Sequence, residues 1–279
     1  MPEKRQIKGF LVLTAVALAL FLIIFASGII PRTRRLLVFI LIGFVAQLVD
    51  GAIGMAYGVL SNSFLLSLGV PPAPASASIH TARIFTTFAS GAAHLKLGNV
   101  NKWLLKKLVI PGIIGGIIGA CLLYLAPVDF IRPVVSAYLI VIGAMIIVNA
   151  IKSRFRKTSE IRYIGLLGGI GGFVDSVGGG GWGPVITSTL IVRGHNPRLT
   201  VGSVSLAKFF VTIAQGAIFT LLLGLINWEI IVGLAVGGII AAPLSAYLCK
   251  RLPVRALALL AGLMVVSLSA RTFTPCLFN

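Results

Sequence analysis

Acidic residues are almost missing from this chain: Glu3, Asp50, Asp129, Glu160, Asp175 and Glu229 are all that 279 positions contain. Charged residues of both signs make up 11% of it, against roughly 25% in an ordinary soluble domain. A surface that faces water all round is therefore excluded. Cysteine is equally scarce. Cys121 and Cys249 lie inside apolar runs and Cys276 near the end, with neither metal-ligand spacing nor a disulfide framework. No nucleophile stands beside a base in a recognisable order. The expectation is no metal, no cofactor, no redox chemistry and no enzyme.

What the chain does have is apolar length. Hydrophobic residues reach 58%, mean hydropathy is +1.05, and the runs 9–30, 108–126, 134–151 and 230–248 each approach the roughly 20 residues that a bilayer-spanning helix needs. The lipid bilayer is the expected solvent. The 24 Lys and Arg residues, net charge +18, sit in short clusters between these runs, which fits membrane topology better than a nucleic-acid surface. Lys4, Arg5 and Lys8 ahead of a run to position 30 imitate a signal peptide. That run exceeds the usual h-region of about 7–15 residues, so residues 1–35 read as a retained first helix.

Shifted by 125 positions, 43–92 aligns without a gap on 168–217, with 16 of 50 pairs identical. Chance in so biased a composition gives about 4 or 5. The matches include uncommon residues: Asp50 with Asp175, Gly54 with Gly179, Gly58 with Gly183, Pro72 with Pro197 and Ser78 with Ser203; Tyr57 faces Trp182 and Arg83 faces Lys208. Further along, Asn101 faces Asn227 after a one-residue shift and Trp103 faces Trp228 without it. This is a duplication. It divides the chain into a first helix (1–35), a first repeat (36–152), a cytoplasmic linker (153–160), a second repeat (161–271) and a tail (272–279).

Each repeat opens with 34 residues, 36–69 and 161–194, too long for one span, too short for two, and interrupted midway by glycine. Two half-helices meeting near mid-membrane are expected, which is tolerable only where the broken backbone is buried or lines a polar cavity. Three full helices follow in each repeat, near 78–97, 103–126 and 130–151, then 200–223, 228–248 and 254–271. With each half-helix pair returning to its own side and the N-terminus cytoplasmic, most Lys and Arg clusters fall inside, as topology favours, while Arg32, Arg34 and Arg35 fall outside. The repeats then enter from opposite faces. An all-α protein with inverted repeats and paired broken helices is a transporter architecture, with the cargo site where the repeats meet.

Only Asp50 and Asp175 lie deep in apolar sequence. An intramembrane carboxylate implies proton coupling or gating; equally, each carboxylate can cap the half-helix that follows it. Gly54, Gly58, Gly179, Gly180 and Gly183 would leave backbone N–H groups free at a half-helix start, a cradle for an anion. Arg83 and Lys208 would supply two opposed cations suited to a sulfonate, sulfite or carboxylate. His80 is a candidate proton carrier or hydrogen-bonded helix residue, Tyr57 and Trp182 would wall the site or pack it, and Asn62, Thr187, Ser205, Gln47 and Gln215 are candidate cavity polars. A small anion is the expected partner; oligomeric state stays open.

The runs GFVAQLVDGAIG (43–54), GGFVDSVGGGGWGP (171–184) and GGIIAAP (237–243) resemble the sulfite exporter TauE/SafE family of membrane permeases over about 36–271. The resemblance implies transport, commonly export, of sulfur-containing anions and small organic acids such as sulfite, sulfoacetate or thiosulfate, in a bacterial-type inner membrane. Met55, Ala56 and Tyr57 depart from the family's glycine-richer run. A passive anion channel and an intramembrane enzyme are the alternatives.

Overall fold

The structure, a computed structural model, describes residues 35–53, 55–96, 98–152, 163–193, 195–224, 227–248 and 254–278. Their regular structure is helical throughout: α1 Arg35–Ile53, α2 Tyr57–Ser67, α3 Pro72–Lys96, α4 Lys102–Leu125, α5 Val128–Lys152, α6 Ile164–Gly178, a π-helical turn Gly183–Thr187 continuing as α7 Ser188–Val192, α8 Pro197–Leu223, α9 Trp228–Leu248 and α10 Val254–Phe278. The expected first helix, Gly54 and the linker lie outside the described residues.

Both glycine-rich stretches break their helices, the first between Ile53 and Tyr57 and the second between Gly178 and Gly183. The full helices agree with expectation apart from their ends. α3 and α8 start earlier than the hydropathy suggests, at Pro72 and Pro197. A proline in the first turn needs no N–H partner, so the polar, proline-containing approach is helical too. Asn196 caps α8 by accepting the Leu199 N–H at 3.3 Å. Asn101 caps α4, its side chain accepting the Trp103 and Leu104 N–H groups. α10 continues past 271 through most of the expected tail.

Lys102–Leu125, Val128–Ile151 and Leu199–Leu223 are long and apolar enough to cross a membrane, and Ile164–Gly178 and Trp228–Ala242 are shorter apolar helices. Apolar side chains dominate the outside: Leu221 is 80% exposed and Leu125 76%, whereas Asp175, Arg83 and Lys208 are buried. That inversion of a soluble protein is what a lipid environment selects.

The helices pack chiefly as α1 on α9, α4 on α6, α5 on α10 and α3 on α8. Small residues let the backbones touch, as membrane helices require. A methyl group on Gly43 would come 2.7 Å from Leu234 Cα, and one on Gly172 would lie 2.9 Å from Gly112 C. Each pairing joins one helix from before the linker with one from after it. The two halves of the chain thus interlock rather than sit side by side.

Candidate functional site

The two helix breaks meet at the centre of this packing. A Cβ on Gly58 would lie 2.6 Å from Gly180 Cα, and one on Gly180 would meet the backbone of Gly58 and Val59. Only hydrogen at both positions permits the approach. Asn62, one turn into α2, donates to Gly178 O at 2.6 Å and ties the second break to the first. Gly179 closes α6 at φ +68, where glycine carries no Cβ penalty. In the first break the comparable strain falls on Ala56 at φ 128. Gly183 begins the π turn and is buried.

Each break is held by its acid. Asp175 Oδ1 accepts the N–H groups of Gly181 (2.8 Å) and Trp182 (3.0 Å), and Asp50 Oδ1 accepts that of Tyr57 at 3.2 Å. Both carboxylates bridge from the end of one helix to free donors at the start of the next.

Each acid also holds a cation from the opposite repeat. Arg83 Nη1 of α3 lies 3.2 Å from Asp175 Oδ1 of α6, and Lys208 Nζ of α8 lies 3.7 Å from Asp50 Oδ1 of α1. The two cations expected to meet the cargo each face a carboxylate. Two elementary charges of each sign thus balance in a dry region. The Asp50–Lys208 pair is the wetter, its acid 16% exposed against 1% for Asp175.

His80 reaches the same place. Its Nε2 lies 3.0 Å from Asp175 O, so that nitrogen carries the proton, and Nδ1 faces Asp175 Oδ2 at 3.9 Å. Its ring stacks on Phe219 of α8. Ser76 Oγ donates to Ser176 O at 2.5 Å, Ser176 Oγ to Gly116 O at 2.7 Å, and Gln215 Nε2 to Ser176 Oγ at 2.9 Å.

The aromatic residues pack. Trp182 is fully buried, with its ring edge where a Cβ on Gly112 would be; Tyr57 lies against Gly238 and donates its hydroxyl to Leu234 O at 3.0 Å. Gly112 and Gly238 are themselves one shifted repeat apart. Thr187 is fully buried and Ser205 half-buried on α8.

Several polar atoms near the breaks have no hydrogen-bond partner among the described residues: Asn62 Oδ1, Thr187 Oγ1, Trp182 Nε1, Arg83 Nε, His80 Nδ1 and Tyr138 OH. Asn62 and Thr187 stand at equivalent positions of the duplication. Buried polar atoms are seldom left so. Tyr138 was not anticipated. Its hydroxyl lies where a Cβ on Gly181 would come within 2.6 Å, yet it belongs to an unremarkable apolar run and faces Met264 in the duplication, so no sequence signal marks it.

Apolar spanning helices around a buried, charge-balanced and incompletely hydrogen-bonded centre are the construction of a membrane transporter. The chain belongs to the Sulfite exporter TauE/SafE family, whose model matches residues 39–272. It is also 41% identical, over 86% of its own length and 83% of the relative's, to "Probable membrane transporter protein YtnM" of Bacillus subtilis (strain 168). Both names point to a transporter and not to an enzyme. No solved structure matches the chain.

Proposed function

We propose that this protein is a secondary transporter, an exporter of a small sulfur-containing or organic anion such as sulfite, a C2 sulfonate or thiosulfate, working in the cell inner membrane by alternating access of two inverted repeats. The observation that carries this reading is the crossed pairing of Arg83 with Asp175 and Lys208 with Asp50.

Each carboxylate occupies the place of an anion on a cation supplied by the other repeat. Breaking a buried pair is costly when it leaves a bare charge. Here it need not. Asp175 keeps the Gly181 and Trp182 N–H groups, and Asp50 keeps that of Tyr57, so either cation can turn to an entering anion without orphaning its acid. Cargo oxygens on Arg83 and Lys208 would exchange one ion pair for another, at a cost far below that of desolvating a lone ion. Thr187 Oγ1 and Trp182 Nε1 offer further donors to the anion's oxygens. Because both pairs join the two repeats, exchanging them loosens one repeat from the other, as alternating access demands. Protonation of Asp50 or Asp175 would release the same cations, which is the route for proton coupling.

The test is flux in liposomes of purified protein offered sulfite, thiosulfate, a C2 sulfonate and acetate. A carrier gives saturable uptake and counterflow with trapped anion, lost in Arg83→Gln and Lys208→Gln proteins that remain folded. Flux that never saturates would favour a channel, and wild-type flux in both variants would remove the cations from the site.

A further inference from the structure

Away from the helix breaks, a groove of about 550 Å³ opens where the first turns of α4 meet the start of α6. Lys106 and Lys107 line one part of it, Trp103 and Tyr163 flank it, and Ile110 and Leu166 form its apolar end. These aromatic and aliphatic residues are 57–67% exposed, and both lysines face outward. Neither lysine forms an ion pair among the described residues, and residues 152–162, the chain leading into Tyr163, carry five Lys and Arg against one Glu.

We propose that this groove holds the headgroup of an anionic phospholipid, Lys106 and Lys107 meeting its phosphate, Trp103 and Tyr163 flanking the headgroup, and the acyl chains descending along Ile110 and Leu166. Charge complementarity selects an anion. The layering selects an amphiphile: amphipathic rings belong at the level of the headgroups, and the helix below them is a membrane-length apolar span. A free phosphate would use the lysines and leave the exposed apolar half of the groove uncovered. Basic recesses between spanning helices bind such headgroups because the phosphate has no other partner there.

The whole chain, in nanodiscs of phosphatidylcholine with a minor fraction of phosphatidylglycerol, is tested by extracting and quantifying the lipid that remains bound after delipidation. Wild-type protein should retain phosphatidylglycerol selectively. A Lys106→Gln/Lys107→Gln variant should lose that selectivity by roughly 30-fold, at about 1 kcal/mol per basic residue. Lys106→Arg/Lys107→Arg and the exposed control Lys96→Gln should retain it. Equal retention in the Gln double variant, equal loss in Lys96→Gln, or displacement of the lipid by millimolar inorganic phosphate would overturn the proposal. Should the double variant not fold, a photoactivatable phosphatidylglycerol on wild-type protein decides: label within 103–111 or 163–166 supports the site, and label only elsewhere refutes it. Retention is read without transport, so failure of the proposed cargo leaves this test intact.

Discussion

Arg83 Nη1 lies 3.2 Å from Asp175 Oδ1, and the two side chains come from opposite copies of the duplication, both sealed from solvent. The same oxygen accepts the N–H groups that open the second half-helix. One carboxylate therefore joins a helix break, a cation and the two repeats. Its neighbourhood is where substitution should be most informative.

Arg83→Gln leaves Asp175 with backbone donors but without its counter-ion. Stability should fall by about 3 kcal/mol, as for a buried pair that loses one partner. The double variant Arg83→Gln/Asp175→Asn should regain much of that loss in thermal unfolding in detergent, yet still not transport. If the double variant is no more stable than the single one, the pair is not coupled.

Lys208 and Asp50 form the longer and wetter pair. Lys208→Gln should cost less than Arg83→Gln, about 1–2 kcal/mol by the same comparison of unfolding midpoints. Equal or larger destabilisation would contradict the asymmetry between the two breaks.

Thr187→Val removes a fully buried hydroxyl that has no partner among the described residues, with little change in shape. Stability should hold or rise by about 1 kcal/mol while transport falls. Unchanged flux would take Thr187 out of the cargo site.

Ala56 stands at φ 128, where its repeat counterpart is Gly181. Ala56→Gly should raise stability by about 1 kcal/mol through relief of that strain. Gly58→Ala should prevent the breaks from meeting and cost more than 4 kcal/mol, seen as loss of monodisperse protein on size-exclusion chromatography.

Much of this was legible from one dimension. Long apolar runs require a membrane whatever the fold, because no arrangement of so few charges can face water. Self-alignment singled out Asp50, Asp175, Arg83 and Lys208 as two equivalent pairs, and glycine-rich interruptions located both helix breaks, since helical backbone cannot continue cheaply through them. Recognition of the TauE/SafE family followed from the same stretches and agrees with the family match.

Partnership was not legible. The sequence aligns Asp50 with Asp175 and Arg83 with Lys208, but equivalence says nothing of contact, and each cation is held by an acid more than 90 positions away along the chain. That outcome depends on α1 packing against α9 and α6 against α4, a choice made by backbone approach at Gly43, Gly112 and Gly172 and by the meeting of Gly58 with Gly180. Tyr138 enters the site for the same reason, carried there by a helix with no polar pattern of its own. Composition and duplication determined the solvent, the breaks and the set of charges. Tertiary packing alone decided which charge answers which, because ion pairing is settled by distances that only interlocked helices create.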